Sequence, residues 1–156
     1  MFDPKKTTPL ALRLIGRAHE LRDTGHVKEA FVEAVTAAEL AVEYFLATRT
    51  DEHSKEGRSS AKQLSTLPLK TQIWVLATAA SLVSQATLDN ALRAVDVRNE
   101  IVHEGKQPND SDRKMFPALL DCAKAFLGLD ELKTPVLSAG NELTSPEYGG
   151  RQALVP

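Results

Sequence analysis

Apolar residues recur along this chain at spacings of four and three. Within residues 26–48, Phe31, Val35, Ala38, Val42 and Phe45 follow one another at 4, 3, 4 and 3. That period lays side chains along one stripe of a helix and is the period of helices packed in bundles. Leu10, Leu14, Ala18 and Leu21 repeat in the same manner within residues 9–23. No run alternates apolar and polar residues over strand length with the Val, Ile and Thr enrichment that strands need. The pattern restricts the chain to an all-α class, and the economical architecture is an up-and-down bundle of four or five helices.

Boundaries follow from local chemistry. Thr24-Gly25 stops the first helix and joins it to the second as an antiparallel hairpin. Residues 49–60 read as a polar loop. A shorter third helix begins near Pro68, which suits a first-turn position, and Ile73, Trp74, Leu76 and Ala77 form its inner face. A break falls at 81–84. The fourth helix covers 85–103, with Leu88, Leu92, Val95 and Val102 as its core stripe and Gly105 as its stop. The fifth begins after Pro108, capped by Asn109, Asp110 or Ser111, and carries Met115, Leu119, Cys122 and Phe126. Pro117 is expected to kink it or mark its true start. Pro, Ser, Gly and Asn dominate from Lys133 onward, so residues 134–156 read as a flexible tail behind one helical domain at 1–133.

Composition narrows the chemistry. A net charge of −2 excludes a protein that coats duplex nucleic acid through a strongly basic face, though not one that meets RNA in a local cleft. The single cysteine, Cys122, allows no internal disulfide and fits a reducing, cytoplasmic setting. Residues 1–8 are polar, so no signal peptide is expected, and no apolar run is long enough to span a membrane. His19, His26, His53 and His103 are scattered, and no His/Cys pair has metal-ligand spacing. There is no Gly-rich phosphate loop and no nucleophile-elbow serine. Neither a metal nor a cofactor is expected, and any catalysis here is acid–base in character.

The chemically informative interval is Arg98-Asn99-Glu100-Ile101-Val102-His103, followed by Glu104-Gly105, at the end of the fourth helix. Arg98 has Ala94, Val95, Ile101 and Val102 at its i±3 and i±4 positions, so no acid on its own helix pairs with it there. It needs a tertiary partner, a cleft or a ligand. Glu39 and Glu43, beside the second-helix seam, are the acids in reach of such a role. Residues five apart on a helix differ by about 140° in direction and about 7.5 Å in rise. Arg98 and His103 are therefore not stacked, whereas Asn99 and His103 are, and Asn99 is expected to orient the imidazole or hold a phosphate. His103 also suits a helix C-terminus, where a cation meets the dipole favourably. Glu104 is either a solvated end residue or a modulator of His103.

This interval resembles the R-x(4–6)-H motif of the HEPN superfamily, small all-α domains in which a polar residue often follows the Arg. The early Ala-rich hairpin with Glu39-Leu40-Ala41 and the RN-x-x-x-HEG ending resemble the family too, and the likeness covers about residues 10–128. Arg13 and His19 also satisfy R-x(5)-H, but Leu14 follows Arg13 and the pair lies in the first helix. The resemblance implies a metal-independent endoribonuclease of a toxin–antitoxin, defence or RNA-processing system. Arg98 and His103 would be catalytic and Asn99 would support them. It also implies a homodimer with two motifs facing one cleft, RNA as substrate and an antitoxin or other protein as partner. His103 would move protons, and Arg98 would neutralise the phosphorane. Some relatives carry a modified Tyr two residues after the His, where this chain has Gly105. Other members have lost catalysis and bind a protein or RNA, which is the alternative reading. An unrelated helical adaptor is the third.

Overall fold

The computed structural model describes residues 3–49 and 55–129. Among these residues the chain forms six helices and no strand: α1 (Pro4–Asp23), α2 (Val27–Arg49), α3 (Lys55–Ser65), α4 (Leu69–Ala79), α5 (Gln85–Glu104) and α6 (Asp110–Phe126). The all-α class holds, with six helices in place of four or five. The additional one is α3, which takes in residues 55–60 of the expected polar loop. It buries none of its residues, so it carries no core stripe that a sequence reading could detect. The boundary expected at 133, the 134–156 tail and His53 lie outside the described residues.

α1 starts earlier than its apolar period suggests. The Asp3 carboxylate accepts from the Lys5 backbone N–H at 3.0 Å, and Pro4 occupies the first helical position, where its missing N–H costs nothing. At the other end Gly25 takes φ 87°, which a glycine adopts without steric penalty. The backbone N–H groups of Gly25 and His26 then donate to the carbonyls of Arg22 and Leu21 at 3.1 and 2.7 Å. This closes the hairpin that lays α2 back along α1.

The buried stripe of α1 is Ala11, Ile15 and Ala18, while Leu10 is turned out. Facing it, α2 buries Ala30, Ala34, Ala37, Ala38 and Ala41. With small side chains on both surfaces, two helices can approach closely, and α1 packs chiefly on α2. The whole expected seam of α2 is buried. Phe31 meets Phe116 edge to face with centroids 5.4 Å apart, and Phe45 meets Phe126 at 5.3 Å. These two pairs join α2 to α6, each adding about 1 kcal/mol beyond its buried area.

α4 leans on α5 and buries Ile73, Leu76 and Ala77. Trp74, expected on the same face, is 52% exposed. Its neighbour four residues earlier, Lys70, reaches Asp96 of α5 at 2.6 Å, so that side of α4 lies along the outer seam with α5. The connection from α5 to α6 is fixed tightly. Gly105 takes φ 71°, the Asp112 N–H donates to Asn109 Oδ1 at 2.9 Å, and the Asn109 N–H donates to Asp112 Oδ2 at 3.0 Å. This reciprocal capping box starts α6 at Asp110, and Pro117 lies within the helix rather than at its start. No described helix is long and apolar enough to cross a membrane.

Candidate functional site

α5 presents the Arg98–His103 interval. At about 100° per residue, its six buried residues (Leu88, Ala91, Ala94, Val95, Val97 and Ile101) span an arc roughly 180° wide, with Arg98 near the centre. The cover over that arc thins toward the C-terminal end. Ala94 and Val95 are buried, Arg98 is half-buried, and Val102, one turn further, is 52% exposed. Arg98 thus stands where the core-facing stripe of α5 emerges into solvent. The spacing expects Val102 in the core stripe, but none of the described helices covers that end of the arc sufficiently to bury it.

The guanidinium is incompletely satisfied. Its Nη1 donates to Asn99 Oδ1 at 3.0 Å, while its Nε is enclosed and finds no acceptor. Among the described residues no carboxylate forms an ion pair with it. Glu39 and Glu43 are exposed on α2, and neither supplies the partner expected across the bundle. Five N–H donors held in a rigid fork are served here by one neutral amide oxygen. An enclosed donor without a partner costs about 1–3 kcal/mol.

Asn99 is placed differently from expectation. Its amide oxygen is committed to Arg98, and among the described residues no hydrogen bond links it to His103. A guanidinium without a carboxylate takes the nearest acceptor, and the long arginine side chain reaches round the helix to the adjacent residue. His103 is exposed in the last turn of α5, and Glu104 is exposed as its final residue. The structure therefore brings Arg98 and Asn99 together and leaves His103 about 140° round the helix from Arg98. Among the described residues no hydrogen bond joins Arg98 to His103, although Asn99, which holds the guanidinium, lies one helical turn before His103.

A second charged cluster lies beyond the helix end. The Lys106 ammonium sits between the carboxylates of Glu100 on α5 and Asp112 on α6, 3.2 Å from Asp112 Oδ2. Arg93 Nη1 lies 3.6 Å from Glu100 Oε1. The hydrogen bond to Glu100, seconded by Asp112, holds the Lys106 ammonium above the ordinary lysine value. Asp112 is 3% exposed and serves the capping box as well. The Asn-x-x-Asp spacing of that box was visible in the sequence; the lysine's two partners were not.

Other reactive types are accounted for. Burial, with the Asp121 charge adding to it, pushes the Cys122 thiol up to about 12, which leaves it no thiolate character near neutral pH. His19 lies edge-on to Phe116 with centroids 6.3 Å apart. Burial, then the charges of Arg22 and Lys124, lower its pKa. Among the described residues there is no group of three or more His, Cys, Asp or Glu side chains that could hold a metal ion. Comparison with protein-family models, with curated proteins and with solved structures returns no match.

Proposed function

We propose that this chain is a HEPN-type, metal-independent endoribonuclease acting as a homodimer, with Arg98 and His103 catalytic and Asn99 holding the guanidinium. The observation that carries the reading is Arg98 itself. It is a half-buried cation at the rim of the core, with an enclosed Nε–H that has no acceptor and, among the described residues, no carboxylate paired with it. A phosphodiester supplies what it lacks, because phosphate oxygens match the guanidinium fork and carry the opposite charge.

Two copies facing one groove would bring both motifs, two Arg98 and two His103, around the same phosphate. One imidazole takes the proton from the ribose 2′-OH. The 2′-oxygen attacks phosphorus and the P–O5′ bond breaks. The departing 5′-oxygen takes a proton from the second imidazole, leaving a 2′,3′-cyclic phosphate and a 5′-OH. Arg98 neutralises the charge that builds on the phosphorane. An RNA-processing, toxin or defence role in the cytoplasm, with an antitoxin or other protein as partner, is the setting this chemistry fits.

The Arg98–Asn99 hydrogen bond favours one second reading. Arg98 and Asn99 suffice to hold a phosphate without cleaving it, which would make the chain a non-catalytic module that binds RNA or a protein partner. Purified protein incubated with single-stranded RNA in EDTA separates the two. Cleavage lost in both Arg98→Ala and His103→Ala supports the enzyme, and cleavage retained in both rejects it. RNA retained by uncut wild type but not by Arg98→Ala supports the binding module.

A further inference from the structure

A second cluster of cations lies at the end of the bundle where α1, α2, α5 and α6 meet. There the turn before α2 and the connection from α5 to α6 enclose an open cleft of about 280 Å³, lined by His26, Lys28 and Glu29 on one side and by Gln107 and Arg113 on the other. The walls are tied together by Lys28, whose ammonium reaches the Gly105 carbonyl at 3.4 Å. The Gln107 and Arg113 wall is held rigid by the Asn109–Asp112 capping box and the Lys106 pairs.

We propose that this cleft is a binding site for a phosphate group, separate from Arg98 and His103. Among the described residues, Lys28 and Arg113 form no ion pair with a carboxylate, in contrast to nearby Lys106, whose charge is met by two. The His26 ring is held at the edge of the cleft by Nδ1, 3.2 Å from the Thr24 hydroxyl. A planar fork from Arg113, a point charge from Lys28 and the Gln107 amide are the donor set that oxygen-rich, doubly charged anions attract. Glu29 is the acid in the lining and opposes the ligand, so affinity in the millimolar range is expected rather than tighter binding.

The test is a titration of the full chain, followed by backbone amide NMR, with sodium phosphate against sodium chloride at equal ionic strength. Saturable shifts confined to residues 25–29 and 107–113 are expected with phosphate and not with chloride. Lys28→Gln and Arg113→Gln should each weaken phosphate by about ten-fold, with the remaining resonances unmoved as the check on folding. Shifts that chloride reproduces, that spread over the whole surface, or that survive both substitutions overturn the proposal. Single-stranded hexathymidylate, which lacks the 2′-OH and so resists cleavage, identifies the source. Tighter binding than phosphate on the same amides marks a nucleic-acid backbone. Its exclusion while phosphate binds marks a free phosphate. The outcome is independent of the nuclease reading, because no residue titrated here belongs to the Arg98–His103 interval.

Discussion

Arg98 and Lys106 are cations eight positions apart at the C-terminal end of α5, and the fold treats them in opposite ways. Lys106 is met by two carboxylates, one on each helix it joins. Arg98, half-buried like Lys106, has one neutral amide oxygen as its partner among the described residues and one enclosed donor with none. Burying a charge is tolerated when it is paired. Lys106 satisfies that rule, and its pairs hold α5 to α6. Arg98 breaks it, with its enclosed Nε left without an acceptor. Local rules are broken in this way mostly where a ligand completes the site.

The contrast is sharpest in activity. Under the nuclease reading, Arg98→Ala should lower the rate of RNA cleavage by about 10²–10³-fold, the scale for losing a donor aimed at developing charge. His103→Ala should lower it by about 10²–10⁴-fold, the scale for losing a general acid or base. Next comes Asp112→Ala, which removes the capping box and one of the two Lys106 partners together. It should destabilise the fold by about 2–4 kcal/mol, read by urea unfolding, with cleavage falling only as far as the folded fraction falls. A loss of activity in Asp112→Ala at full folding would erase the distinction between the two cations.

The smallest effect concerns pH and lies away from both. His19 has its folded pKa below the ordinary 6.5 through burial and the nearby Arg22 and Lys124 charges. Above 6.5 the ring is neutral in both states and contributes no pH dependence. As pH falls below 6.5 the unfolded chain takes up a proton that the folded chain resists, so stability falls on acidification. His19→Gln should therefore lose less stability than wild type between pH 7.5 and pH 5. Equal losses would show that the ring does not titrate against the fold.

The sequence disclosed most of the helices because their period survives in single residues. The α2 seam is buried as its spacing implies, Gly25 and Gly105 stop their helices, and Asn109 caps α6. What escaped was amphipathic structure without a core. α3 fully buries none of its residues, and Leu64, packed partly against the core, is too little for a stripe to read. Leu10 and Trp74 show a related failure: the helical period places them inward, yet both are exposed, while Ala11 and Ile15 join the expected Leu14, Ala18 and Leu21 in packing α1. At the site, the lack of a same-helix acid for Arg98 was legible from its i±3 and i±4 neighbours. That its amide partner is Asn99, and that Glu39 stays exposed, depends on how α2 and α5 are rotated against each other, which no spacing within one helix encodes.

The central claim is that Arg98 is kept for a ligand and not for the fold. Urea unfolding of Arg98→Met, which keeps the apolar stem and removes the unpartnered donor, tests it without knowledge of the RNA. The account predicts an unfolding free energy unchanged or raised, by up to about 1 kcal/mol. A fall of more than about 1 kcal/mol at unchanged slope would show that the guanidinium holds the bundle together, and would contradict the claim.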